Sequence, residues 1–180
     1  MAMIRQTIAR RPVASGIVTL VAVVAVAFGV YWFGPQKLFV DERVSEALPS
    51  AAPAAEEPAA EPPTEVGDPV VLAQGEVRSL AHDASGTALL LELGDGSRVL
   101  RFEDLDVLNG PDLKVYLSTA PSSAEGNAFD DDYVSLGPLK GNVGDQNYEL
   151  AGDLDVSMYR SAVVWCERFS VGFAVAPIDS

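Results

Sequence analysis

The chain has 180 residues, with 26 Asp or Glu against 12 Lys or Arg, and a formal net charge of −14. The first 36 residues carry +3 from Arg5, Arg10 and Arg11, which leaves 9 − 26 = −17 on the rest. So acidic a surface argues against nucleic acid or anionic lipid headgroups as partners and favours cationic ones.

From Pro12 to Gln36 no residue is charged, and Val13–Phe33 is 21 residues of almost wholly apolar sequence. About 20 such residues span a bilayer as a helix. Three basic residues precede the run, while Lys37 and Arg43 follow within a dozen positions, a bias that puts the N-terminus on the cytoplasmic side. Tyr31, Trp32 and Phe33 close the run, where aromatic rings favour the interface. Residues 1–36 therefore read as a cytoplasmic tip and a single-pass transmembrane signal anchor. A cleaved signal peptide is the rival, with Ala25-Val26-Ala27 as its cleavage site, although the run exceeds the 7–15 residues of a signal core. Either way the remainder is exported, to an extracellular or periplasmic location.

Residues 37–67 read as a disordered Pro/Ala/Glu-rich tether. Between Pro49 and Pro63 there is no aromatic or branched aliphatic residue to bury against the entropy cost of ordering. Residues 68–180 read as one all-β domain, an antiparallel sandwich or barrel-like fold of about eight strands. The strands expected are Gly75–Ala81, Thr87–Leu93, Arg98–Phe102, Leu113–Ser118, Tyr133–Leu136, Gln146–Leu150, Ser161–Cys166 and Phe169–Ala176. Gly94-Asp95-Gly96 marks a hairpin. Only Glu167 and Arg168 separate the last two strands, which predicts another. Period-two alternation puts Phe169, Val171, Phe173 and Val175 on a bulky core face. Ser170, Gly172, Ala174 and Ala176 then form an opposite face lined with small groups. Asp153–Tyr159 suits a single helical turn.

Few residues can carry chemistry. Cys166 is the only cysteine, so no internal dithiol exists. An unpaired thiol in an exported domain points to a redox group, a ligand or an intermolecular bridge; equally, free cysteine often packs as a small hydrophobe. For a redox thiol, Arg168 would favour the thiolate and Glu167 oppose it. His82 is the only histidine. With Cys166 it can form a thiol–imidazole pair or two axial ligands if the fold brings them together, and otherwise it is a strand-end histidine. Asp130-Asp131-Asp132 lack the spacing of a known calcium loop and read as a solvated acidic loop. Asp112, Asp145, Asp153 and Asp155 suit turns. Tyr116, Tyr148, Tyr159 and Trp165 either line a flat-ligand pocket or fill the core. There is no nucleophile elbow, phosphate loop or paired metal-binding histidines.

Several blocks occur in a diagnostic order: Leu80-Ala81-His82-Asp83-Ala84-Ser85-Gly86, Arg101-Phe102-Glu103-Asp104-Leu105, and Asn109-Gly110-Pro111-Asp112-Leu113-Lys114-Val115-Tyr116-Leu117-Ser118. Leu136-Gly137-Pro138-Leu139-Lys140-Gly141, Gly144-Asp145-Gln146-Asn147-Tyr148 and Tyr159-Arg160-Ser161-Ala162-Val163-Val164-Trp165-Cys166 follow. Over nearly all of residues 75–178 the chain resembles the DM-thirteen, or electron-transfer DM, family. The resemblance implies an extracellular redox setting. The family occurs in animals beside DOMON and cytochrome b-type modules, and no DOMON-like module is recognisable here. It further implies that Cys166, at the family cysteine, is a bare redox thiol or a ligand to a prosthetic group such as haem, and His82 stands at a histidine common in the family. Two functions follow: electron transfer with a redox partner protein through Cys166, or a non-catalytic binding or adhesion module in which the cysteine is structural.

Overall fold

Pro12, whose missing N–H costs nothing at a helix start, opens α1 (Pro12–Phe33). The structure, a computed structural model, describes residues 12–33, 40–49 and 67–179. Arg5, Arg10, Arg11, Lys37 and the Pro-rich stretch 50–66 lie outside the described residues. Apolar side chains including Ile17, Leu20, Val24 and Phe28 are exposed around α1. No helix among the described residues is long and apolar enough to cross a membrane.

Ten strands follow: β1 (Arg43–Ser45), β2 (Val70–Glu76), β3 (Arg78–Ser79), β4 (Ala84–Glu92), β5 (Arg98–Val107), β6 (Leu113–Ser118), β7 (Tyr133–Pro138), β8 (Val143–Glu149), β9 (Ser161–Cys166) and β10 (Val171–Pro177). They form two five-stranded sheets, in the orders β1-β8-β5-β4-β2 and β3-β10-β9-β6-β7. All pairings are antiparallel except that of β1 with β8. The described residues are thus mostly β, with two open sheets, one of them mixed, in place of a closed barrel, and ten strands where about eight were expected, because Gly75–Ala81 divides between β2 and β3 and β1 was not foreseen.

One hydrophobic core joins the sheets. Ala88, Leu90, Leu100, Phe102 and Tyr148 come from the first, and Leu113, Val115, Leu117, Ala162, Val164, Cys166 and Phe173 from the second. A smaller cluster of Tyr116, Phe129, Val163, Trp165 and Val175 covers the outer side of the second sheet. It contains the 3₁₀ turn Gly126–Asp130, whose Phe129 is fully buried. This second cluster explains why all six residues of β9 are buried: both faces of the strand are covered. The helical turn expected near Asp153 is a 3₁₀ turn at Val156–Met158, capped by the Asp155 carboxylate accepting from the Ser157 N–H.

Three expectations change. β10 starts at Val171, and the β9–β10 turn is Glu167–Ser170, with Ser170 at φ 49° and Phe169 exposed. A bulge between Gly172 and Ala174 breaks strict alternation, so Phe173, Ala174 and Ala176 all reach the inter-sheet core while Val175 faces the outer cluster. No continuous small-residue face exists.

The third change concerns residues 40–49, which composition assigned to the tether. They lie against the domain as a strap, with β1 in parallel register on β8 from Arg43↔Val143 to Ser45↔Asp145. The buried Asn142 amide receives the Glu42 N–H (2.7 Å) and donates to Asp41 Oδ1 (2.9 Å) and to the Val107 carbonyl (3.0 Å). Gly144, at φ 106°, lets the strap approach, because a Cβ there would overlap the Val44 carbonyl oxygen. Glu46 binds Lys140 Nζ (2.8 Å) and the Asn147 N–H (2.7 Å). Arg101, 5% exposed, donates to the Glu46 carbonyl (3.1 Å), to Asn147 Oδ1 (2.8 Å) and to Glu103 Oε1 (2.8 Å).

Candidate functional site

Cys166 ends β9, paired with Leu113 on β6 and Val171 on β10. It is 0% exposed and belongs to the inter-sheet core. A redox thiol needs access to solvent or a partner, and the sulfur has none. Glu167, the residue expected to oppose a Cys166 thiolate, instead turns to the outer face and accepts the Tyr116 hydroxyl at 2.9 Å.

His82 sits in the turn between β3 and β4, half-buried, with its ring edge-on to Phe173 at a centroid distance of 4.4 Å. No hydrogen bond or ion pair joins it to Cys166. Neither residue lines the four cavities next to Arg98, Pro111, Gly172 and Asp106. A haem ligated through Cys166 does not fit this packing, because the sulfur is sealed among packed apolar side chains. Among the described residues no group of three or more His, Cys, Asp or Glu can hold a metal ion. Within the expected acidic loop, the Asp132 carbonyl accepts the Thr119 N–H at 3.1 Å.

The aromatic residues separate into two sets. Tyr148 belongs to the main core, edge-on to Phe102. Its hydroxyl donates to Gln146 Oε1 at 2.7 Å and accepts the Lys140 N–H at 3.0 Å. Burial, with a contribution from Glu46, pushes its phenol well above the ordinary range despite the Lys140 bond. Tyr159 packs, partly buried, at the core's margin.

The second set lies on the outer face of the β3-β10-β9-β6-β7 sheet. In the β6–β7 register Tyr133 stands opposite Ser118 and Ser135 opposite Tyr116, so Tyr133 and Tyr116 are diagonal neighbours. In the β6–β9 register Trp165 is opposite Lys114 and Val163 opposite Tyr116, which continues the diagonal. Large rings bridge such diagonals. Tyr133 and Tyr116 stack at 4.1 Å with planes 20° apart, and Tyr116 and Trp165 at 6.2 Å with planes 26° apart. Across β10 the diagonal ends at Gly172, directly opposite Trp165, beside a cavity of about 360 Å³ lined partly by Leu80, Phe129 and Val171.

Along this row exposure changes steeply. Tyr133 is 41% exposed, whereas Tyr116 and Trp165 are at 1% and 2%. Burial, then the hydrogen bond to Glu167 and the contact with Tyr133, drive the Tyr116 phenol far above its ordinary range, so it is protonated throughout the physiological span. Lys114 Nζ lies 3.8 Å from the second Glu167 oxygen and 3.2 Å from Asp112. Tyr116 and Trp165 were legible in the sequence as strand aromatics. Tyr133 and the role of Glu167 were not, because the diagonal exists only once the β6–β7 and β6–β9 registers are set.

Compared with known families, residues 76–178 match the family described as Electron transfer DM13. That stretch runs from the end of β2 to just beyond β10, more than half of the chain. It leaves out α1 and the strap. No curated protein matches the chain, and no solved structure does.

Proposed function

Since this chain belongs to the electron-transfer DM13 family, we propose that it is an electron-transfer domain held on the outer side of a membrane by its N-terminal helix, where it exchanges electrons with a redox partner protein. The family match over nearly the whole β domain carries this reading. The apolar, all-round exposed surface of α1 supports the anchor, as do the three arginines before it and the net −17 after it. The same negative charge favours a partner with a positive docking face.

The reading does not run through Cys166 in its packed state. A thiol mechanism, or ligation of a group by Cys166 and His82, requires the inter-sheet core to open. The test is a thiol titration of the native full chain together with its visible spectrum. The expected result is a colourless protein whose Cys166 reacts only after unfolding. Cys166→Ser should then keep electron exchange with a cationic metal complex and lose about 1–3 kcal/mol of stability, the cost of a hydroxyl in an apolar site. Rapid native reaction, or loss of exchange in a folded Cys166→Ser protein, would return the sulfur to the mechanism.

A non-catalytic binding module is the second reading, favoured by one observation. A polar cavity of about 830 Å³ lies beside the strap, lined partly by Glu46, Arg98, Lys140 and Asn147. A full chain that exchanges no electrons with metal complexes of either charge would favour it.

A further inference from the structure

We propose that the electron path of this domain is the outer-face row Tyr133–Tyr116–Trp165, with Glu167 as the proton acceptor for Tyr116. The inference deepens the electron-transfer reading and rests on it.

Each side chain has a part that its position supplies. Tyr133, exposed and next to Asp131 and Asp132 in the chain, presents a ring edge to solvent within a negative surface. Tyr116 is buried beneath it, and its hydroxyl donates to the Glu167 carboxylate at 2.9 Å with the Tyr133 side chain also beside it. Trp165 extends the stack inward. Neutral tyrosine is a poor electron donor unless its proton leaves with the electron, since a phenol cation radical is strongly acidic. A carboxylate already holding that proton in a hydrogen bond removes the obstacle, as a positioned base does in any proton transfer.

The step balances as follows. A one-electron oxidant of the high-potential metal-complex class, with the metal in its +3 state, docks at Tyr133. It takes one electron from the row. The Tyr116 O–H bond breaks, its proton passes to Glu167 Oε1, and a neutral Tyr116 radical and a carboxylic acid remain beside the metal in its +2 state. Return of one electron and of that proton restores the start. The electron crosses Tyr133 by ring contact at 4.1 Å, and no atom leaves the protein. The acidic surroundings select a cationic oxidant and make the encounter weaken with salt.

The experiment is flash photolysis of the full chain with a photogenerated tris-bipyridyl ruthenium(III) cation and, in parallel, with the anionic hexachloroiridate(IV). Tyrosyl radical is followed by transient absorption and by electron paramagnetic resonance. The wild-type chain should form a tyrosyl radical faster with the cation, with a rate that falls as salt rises. Tyr116→Phe should lower the rate of radical formation by about tenfold or more, and Tyr133→Phe should also slow it. Glu167→Gln, at an exposed carboxylate, should keep the fold and lower the rate by about tenfold or more. Tyr159→Phe should leave it unchanged. A rate unchanged in folded Tyr116→Phe, or indifferent to Glu167→Gln, overturns the path and leaves the electron-transfer reading standing. A wild-type chain that gives electrons to neither oxidant overturns both.

Discussion

Arg101 shows how much of this domain rests on single polar side chains inside it. Its guanidinium serves a carbonyl, an amide oxygen and Glu103 at once while almost wholly out of solvent. A lysine presents one compact ammonium and cannot match that fork. Arg101→Ala should therefore cost about 1–3 kcal/mol by urea denaturation followed through the buried Trp165, and Arg101→Lys should recover only part of it. Gln146 has the same character: fully buried, it accepts from Tyr148 and from the Lys140 and Gly141 N–H groups and donates to the Gly141 carbonyl. At this scale the sequence is an uneven guide. The position of Cys166 at the end of a strand was legible. Which face its sulfur takes was not, because Ser161–Cys166 is apolar on both sides and alternation carries no sign in such a strand. His82 was expected at a strand end, whereas it stands in the turn between β3 and β4 with its ring on Phe173 of β10.

Among the elements, most strands were readable, and where reading failed there were local causes. β5 runs on to Val107 through a register shift between Phe102 and Leu105, which admits the polar Glu103-Asp104 pair into the strand. Asp104 takes φ 49° there, its N–H held by Asp145. The β10 bulge defeats alternation in the same way. β1 was hidden because Arg43-Val44-Ser45 has no hydrophobic pattern, and its fit is written elsewhere, in Asn142 and Gly144. Burial works against ionisation of Glu46, yet the bonds from Lys140 and Asn147 and the Lys140 charge hold its carboxyl below the ordinary value of 4.5. The sign follows: the contact contributes fully above pH 4.5 and is lost as pH falls through the lower folded value. With its side chain 33% exposed, Glu46 contributes about 1 kcal/mol or less. The Asn147 amide resonance should titrate with a midpoint below 4.5, and Lys140→Ala should move that midpoint upward.

For the molecule as a whole, the domain boundary lies earlier than composition suggests. A chain beginning at residue 68 lacks the strap, so Asn142 loses Asp41 and Glu42 and Arg101 loses the Glu46 carbonyl, whereas one beginning at residue 37 keeps these contacts. The longer form should be the more stable by about 1–3 kcal/mol in urea. Both should leave the membrane fraction, with which the full chain should sediment. The placement of the strap also alters the meaning of the acidic, proline-rich stretch. β1, which precedes that stretch, and β2, which follows it, occupy opposite edges of one sheet. The spacer between α1 and β1 is then only residues 34–42, a reach of about 30 Å at most.

The parallel pairing of β1 with β8 joins residues 100 positions apart. A ribosome releases the first strand of this domain long before its partner exists. During synthesis β1 has nowhere to dock until β5 and β8 have paired, so closing that edge is a late folding event with a large loop to close. Until then the β8 edge is open to any other extended chain. An intramolecular strand, held near that edge by its own chain, outcompetes such strangers.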